Sequence, residues 1–138
     1  MTVRGWNDAW QPLFDSLARM KSAWPTRGWS WDPRLLAVTS SFTTEQEPAA
    51  RKATQIALQN EWTAATIVRA PQPLRDVADR AGGIRAGQLA LSTGPINGLL
   101  AYGLWWPWEE GSTISMRVGI DGVGDITLRL CETMGVEP

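Results

Sequence analysis

The sequence predicts an α+β fold: a mixed or antiparallel sheet of about five strands, with an N-terminal amphipathic helix and two to three further helices packed on it. Three observations predict it. Apolar residues near the N-terminus recur at three- and four-residue spacing, the period of a helix with one buried face. Short β-branched runs alternate with helical patterns through the middle of the chain. Two long apolar runs flank Glu109, Glu110 and Gly111, as in an antiparallel hairpin.

Taken in order, residues 6–21 read as a helix whose stripe is Trp6, Trp10, Leu13, Phe14, Leu17 and Met20. Pro12 belongs in or near a first turn, so the regular helix is expected to start around residues 9–11. Trp24-Pro25 ends it, because the residue before a proline avoids the helical region. Residues 25–34 read as a loop, with Trp29 and Trp31 pointing the same way if the chain is extended. Leu35 to Phe42 is a strand with Leu36, Val38 and Phe42 on one face. A helix then starts near Thr43 to Pro48 and runs to about Asn60, its apolar side being Ala49, Ala53, Ile56 and Ala57.

Trp62 to Arg69 reads as the second strand. Pro71 and Pro73 open a short helix, Leu74 to Ala81, capped by Gly82-Gly83. Gly87 to Ser92 is the third strand. Ile96 to Trp108 and Ser112 to Ile120 form a long hairpin, followed by a glycine-rich turn at residues 121–125. The alternation of Ile126, Leu128 and Leu130 would suit a strand. Asp125 before them and Gly135 after them look like helix caps, so residues 126–134 are read as a helix.

The 138 residues fit one domain, residues 1–138, with enough chain for a core without disulfides or metals. With no histidine and one cysteine, Cys131, the chain lacks the residues for a Ser-His-Asp or Cys-His site, a zinc finger or an internal disulfide. No cofactor, metal site or catalytic residue is expected. Thirteen basic against fourteen acidic residues, a net of −1, is poor for a protein that must neutralise many phosphates, so no nucleic-acid partner is expected. Residues 1–20 lack the apolar run of a signal peptide, and no apolar run reaches the length of a membrane span, so the expected location is the cytoplasm, away from membranes.

Several motifs resemble chemistry only faintly. Glu109 and Glu110 sit at a solvated hairpin tip, where paired carboxylates do not acquire separated pKa values. Asp121 and Asp125 flank glycines without the dense oxygen ligands of a calcium loop. Gly82 to Gly87 runs from helix to strand, the reverse of a phosphate cradle. Cys131 lies among Leu128, Leu130 and Met134 and reads as a buried thiol.

Tryptophan is the unusual component: nine, against two Phe and one Tyr. The bias toward Arg over Lys is that of a GC-rich genome, which raises Trp somewhat but leaves the clusters at residues 29–31 and 105–108 to be housed. Trp serves cores and also binding hot spots. Residues 100–138 carry two basic and six acidic residues, which suits a basic partner. The function expected is non-catalytic: an accessory protein, adaptor or immunity-like, that binds a protein or peptide through an exposed tryptophan surface. The alternative is a small Asp/Glu-dependent enzyme, or a small-ligand-binding domain with a Trp-lined pocket.

The candidate binding residues are Trp105, Arg117, Ser115, Trp29 and Trp31. Trp29 and Trp31 could present flat rings from an extended loop. For Trp105 the argument is one of register. A three-residue loop, Glu109 to Gly111, would pair Trp106 and Trp108 with Ile114 and Met116 in the core. Trp105 would then lie on the opposite face, across from Ser115 and beside Gly103 and Arg117, accessible unless a helix covers that face too.

Overall fold

The computed structural model describes residues 2–122 and 126–138, and of residues 2–8 the backbone alone. The N-terminal stripe becomes α1 (Thr2–Ala23), which buries Trp10, Leu13, Phe14, Leu17 and Met20. The side chain of Trp6 falls outside the described residues, as does Asp125. Contrary to the reading of Pro12 as a first-turn residue, the helix continues through it toward the N-terminus. An interior proline costs about 3 kcal/mol relative to alanine. The apolar face on both sides of it, Trp10 and then Leu13 and Phe14, offsets that loss by burial.

A short strand, β1 (Ser30–Asp32), interrupts the stretch read as loop and pairs with β2 (Ala37–Thr43). In β2, Val38 and Phe42 share the buried face as expected. Leu36 does not: it stands in the turn before the strand at φ 51°, 60% exposed. A 3-10 turn (Thr44–Gln46) leads into α2 (Glu47–Ala57), with Pro48 in its first turn. Its buried positions are Ala50, Ala53, Thr54 and Ala57, so Ala49 faces solvent instead.

The expected second strand survives only as β3 (Asn60–Trp62). The Thr63 N–H donates to Thr66 Oγ1 at 2.8 Å and the Ala65 N–H to Thr63 Oγ1 at 3.2 Å. These threonine hydroxyls fold the chain into a turn, and Ile67–Arg69 becomes a 3-10 helix. The short helix forms as α3 (Gln72–Arg80), where the Gly83 N–H donates to the Ala78 carbonyl at 2.8 Å. β4 (Leu89–Ser92), β5 (Leu100–Pro107) and β6 (Thr113–Asp121) follow, and residues 126–134 form a helix, α4 (Ile126–Met134). Ile96 is not part of β5. Asn97 and Gly98, both at positive φ, make a two-residue turn in which Ile96 and Leu99 exchange both backbone hydrogen bonds.

The result is an α+β fold with a six-stranded antiparallel sheet, ordered β1-β2-β6-β5-β4-β3. α1, α2 and α4 cover its inner face, over a core that includes Phe42, Leu91, Trp105, Ile114, Met116 and Val118. On the outer face α3 packs against β4 and β5, over Leu74, Val77, Leu100, Tyr102 and Leu104. No described helix is long and apolar enough to cross a membrane.

The β5–β6 register corrects the sequence reading. The loop has four residues, Glu109 to Ser112, because the Trp108 N–H donates to the Thr113 carbonyl at 2.8 Å. Trp105 therefore pairs with Met116, and Trp106 with Ser115. The physical reason is size matching on a strand that is apolar on both faces. The bulky stripe of β6 lies beside the small inner positions Ala101 and Gly103, where a side chain on Gly103 would collide with Met116 and Leu58. On the outer face the matching is reversed, and the Tyr102 ring lies over Gly119.

Candidate functional site

The five sequence-predicted residues separate into two groups. Trp105 is in the inner core, 1% exposed, with Phe42 at 5.1 Å between ring centroids and the Arg51 guanidinium 5.4 Å from its ring centre. Placing this ring on an accessible surface is corrected by the register and by α2. Trp29 and Trp31 do share a side, but both pack, half-buried, on the inner core. Trp29 lies 4.9 Å from Trp24, tilted by 41°. Ser115 and Arg117 are on the outer face, and the tryptophans beside them are Trp106 and Trp108, which the sequence reading had assigned to the core.

This outer region is built from four separate stretches. Trp108 is 51% exposed, and its Nε1 donates to Ser115 Oγ at 2.7 Å. Ser115 Oγ in turn lies 3.0 Å from the exposed Ser41 Oγ on β2. Next along the face, the Arg117 guanidinium sits 5.2 Å from the Trp106 ring centre, a cation–π contact. Beyond it the β1–β2 turn and the C-terminal end of α3 wall a cleft of about 380 Å³, lined by Arg34, Leu35, Arg80, Ala81, Trp106 and Arg117. A smaller hollow of about 250 Å³, with Arg85 and Gln88 on its rim, meets the cleft at Trp106 and Ala81.

Asp32 fixes one wall. Its Oδ2 accepts from Arg117 Nε at 3.1 Å, and its Oδ1 accepts from the Arg34 N–H at 3.0 Å and lies 3.6 Å from Arg34 Nε. Burial opposes ionisation of this carboxyl, but the Arg117 hydrogen bond, the Arg34 N–H and both arginine charges together outweigh it, so its pKa lies below the ordinary value. A carboxyl so held is a poor proton donor near neutral pH and suits a positioning role. Tyr102 tethers the same turn by donating from its hydroxyl to the Leu35 carbonyl at 3.4 Å. Burial pushes its phenol up to about 12, so it stays a neutral donor. Trp106 Nε1 is buried and meets no acceptor among the described residues.

Among the described residues no group of three or more metal-ligating side chains comes together. Cys131 is buried, and desolvation raises its thiol pKa, which disfavours the reactive thiolate. Arg34 and Arg80 were not among the sequence-predicted residues, because a residue at the end of a turn or helix gives no hint of its spatial neighbour; Trp106 and Trp108 were placed in the core by the three-residue loop. No family model, curated protein or solved structure matches the chain.

Proposed function

We propose that this is a non-catalytic cytoplasmic binding protein, an adaptor or immunity-like accessory factor, that grips a segment of a partner protein or peptide along the outer face of its sheet. The observation that supports this is the half-exposed Trp108, propped on Ser115 and continuous through Trp106 with the arginine-walled cleft. Aromatic and arginine side chains held in fixed orientation lose little entropy on binding, which is why they dominate interface energetics. α3 packs on β4 and β5 of this face, while Ser41 and Trp108 remain in solvent. In this reading Ser115 and Arg117 keep the binding role expected of them, whereas Trp105, Trp29 and Trp31 support the core beneath.

Capture from the native host, identification of the partner and titration of the purified pair would test it. Trp108→Ala is expected to weaken binding at least about tenfold, the scale of an aromatic anchor, with the thermal midpoint nearly unchanged. A partner bound equally well by Trp108→Ala and by the wild-type chain would place the interface elsewhere and overturn the reading.

A further inference from the structure

The cleft at the end of the tryptophan strip has a marked imbalance of charge and of hydrogen-bonding groups. Three arginines line it, and among the described residues the one carboxylate that pairs with any of them is Asp32. Asp32 occupies Arg117 through Nε, and Arg117 has no other hydrogen bond among the described residues. The same guanidinium lies over Trp106, so its plane is fixed before anything binds. Arg80 forms no ion pair among the described residues. Trp106, shared by the cleft and the smaller hollow, carries a buried N–H that meets no acceptor among the described residues. Guanidinium donors therefore outnumber acceptors on the cleft wall, and a bound oxyanion would supply the acceptors that this wall lacks.

We infer that the cleft walled by Arg34, Arg80 and Arg117 is a socket for an oxyanionic side chain, a carboxylate or a phosphoryl group, carried by an acidic peptide segment whose neighbouring residues lie along Trp106 and Trp108. The inference rests on the outer-face reading above and names the chemistry of its partner. A planar guanidinium fork pairs with two oxygens at once, and such charge-assisted pairs are the strong ones. This reverses the preference expected from the acidic C-terminal third. Glu109 and Glu110 do lie in that third, but exposed at the hairpin tip. Arg34 and Arg80 reach the cleft from distant parts of the chain. The cleft is also local: its arginines converge on one hollow instead of tracking a backbone, which favours a peptide over a nucleic-acid strand.

The test titrates the full chain with four probes while following its Trp Nε1 resonances. The probes are a capped hexapeptide alternating Glu and Ala, its Gln counterpart, its phosphoserine counterpart, and a short oligothymidylate. Expected is a shift of the Trp106 resonance with the Glu peptide and none with the Gln peptide at the same concentration. Arg80→Ala, an exposed position, should weaken the Glu peptide about tenfold, the scale of one charge-assisted pair. Arg117→Gln should weaken it further. Phosphoserine binding well above Glu assigns the socket to phosphoryl groups, and parity assigns it to carboxylates. Equal binding of Glu and Gln peptides, or no shift with any anionic peptide at millimolar concentration, overturns the inference. So does oligothymidylate binding more tightly than either acidic peptide and depending on Arg117. If the Glu peptide binds through the arginines but Trp108→Ala leaves its affinity unchanged, the socket stands and the tryptophan-strip reading falls.

Discussion

Trp105 and Asp32 stabilise the fold by different means, one by packing and one by charge, and each predicts a measurable outcome. Trp105 packs against Phe42 in the inner core, with the Arg51 guanidinium 5.4 Å from its ring centre. Trp105→Ala removes its contacts and leaves a cavity, with an expected loss of about 3–5 kcal/mol. Chemical denaturation would measure it, and a loss below about 1 kcal/mol would mean that the ring is not packed as described. Asp32 stabilises through charge. Its folded pKa lies below its unfolded value of about 3.9. The contribution is therefore present above that unfolded value and is lost as pH falls through the folded one. Asp32→Asn, uncharged throughout, should be less stable than wild type near neutral pH, with the difference shrinking below about pH 4. Denaturant midpoints of the two proteins from about pH 7 to 3 would show this convergence; a constant gap would assign the loss to packing instead.

At the scale of elements, α1 carries its own internal conflict. Pro12 lies inside the helix, where it supplies no N–H to the ladder, yet the helix runs on through it, with buried residues on both sides. Pro12→Ala should raise stability by on the order of 1–3 kcal/mol and sharpen the helical circular dichroism signal. An unchanged or lower midpoint would show that the proline ring itself packs usefully. The same helix shows what was legible in the sequence. Its stripe from Trp10 to Met20 was readable because burial on one face imposes a period. α3 with its glycine cap, and α4 with Gly135 after it, were readable because caps act locally. β1 was not, being three residues whose pairing partner lies across a turn. The end of β3 was hidden because Thr63 and Thr66 are common in strands and equally able to hydrogen-bond a turn. The Asn97-Gly98 signal was present in the sequence, and the long apolar run around it masked it.

At the scale of the whole molecule, the hairpin register decides which tryptophans face outward. Sequence parity alone could not settle it, since β5 is apolar on both faces and the sheet has a core on each side. The candidate outer site was legible in part. Ser115 and Arg117 were placed on the surface opposite the inner core, but the cleft depends on Arg34 and Arg80, which only the complete topology brings together. Folding energy comes from these two cores, and the described residues gather no set of metal ligands. Thermal melts with and without a chelator are expected to coincide, and a clear drop with chelator would reveal a structural metal.

The two outermost strands of the sheet have a consequence for behaviour in concentrated solution. β1 and β3 are each only three residues long. Each also carries a carboxylate paired with an arginine, Asp32 with Arg117 and Glu61 with Arg51 at 2.6 Å. Another copy of the chain approaching either margin finds too little free backbone for a ladder, and a charged pair where a continuous apolar row would be needed. Among the described strands, neither edge therefore offers a good starting template for filament growth by strand addition. Incubation at high concentration under native conditions is expected to yield no thioflavin-positive material, whereas partial unfolding that releases the eight-residue β5 should remove that protection.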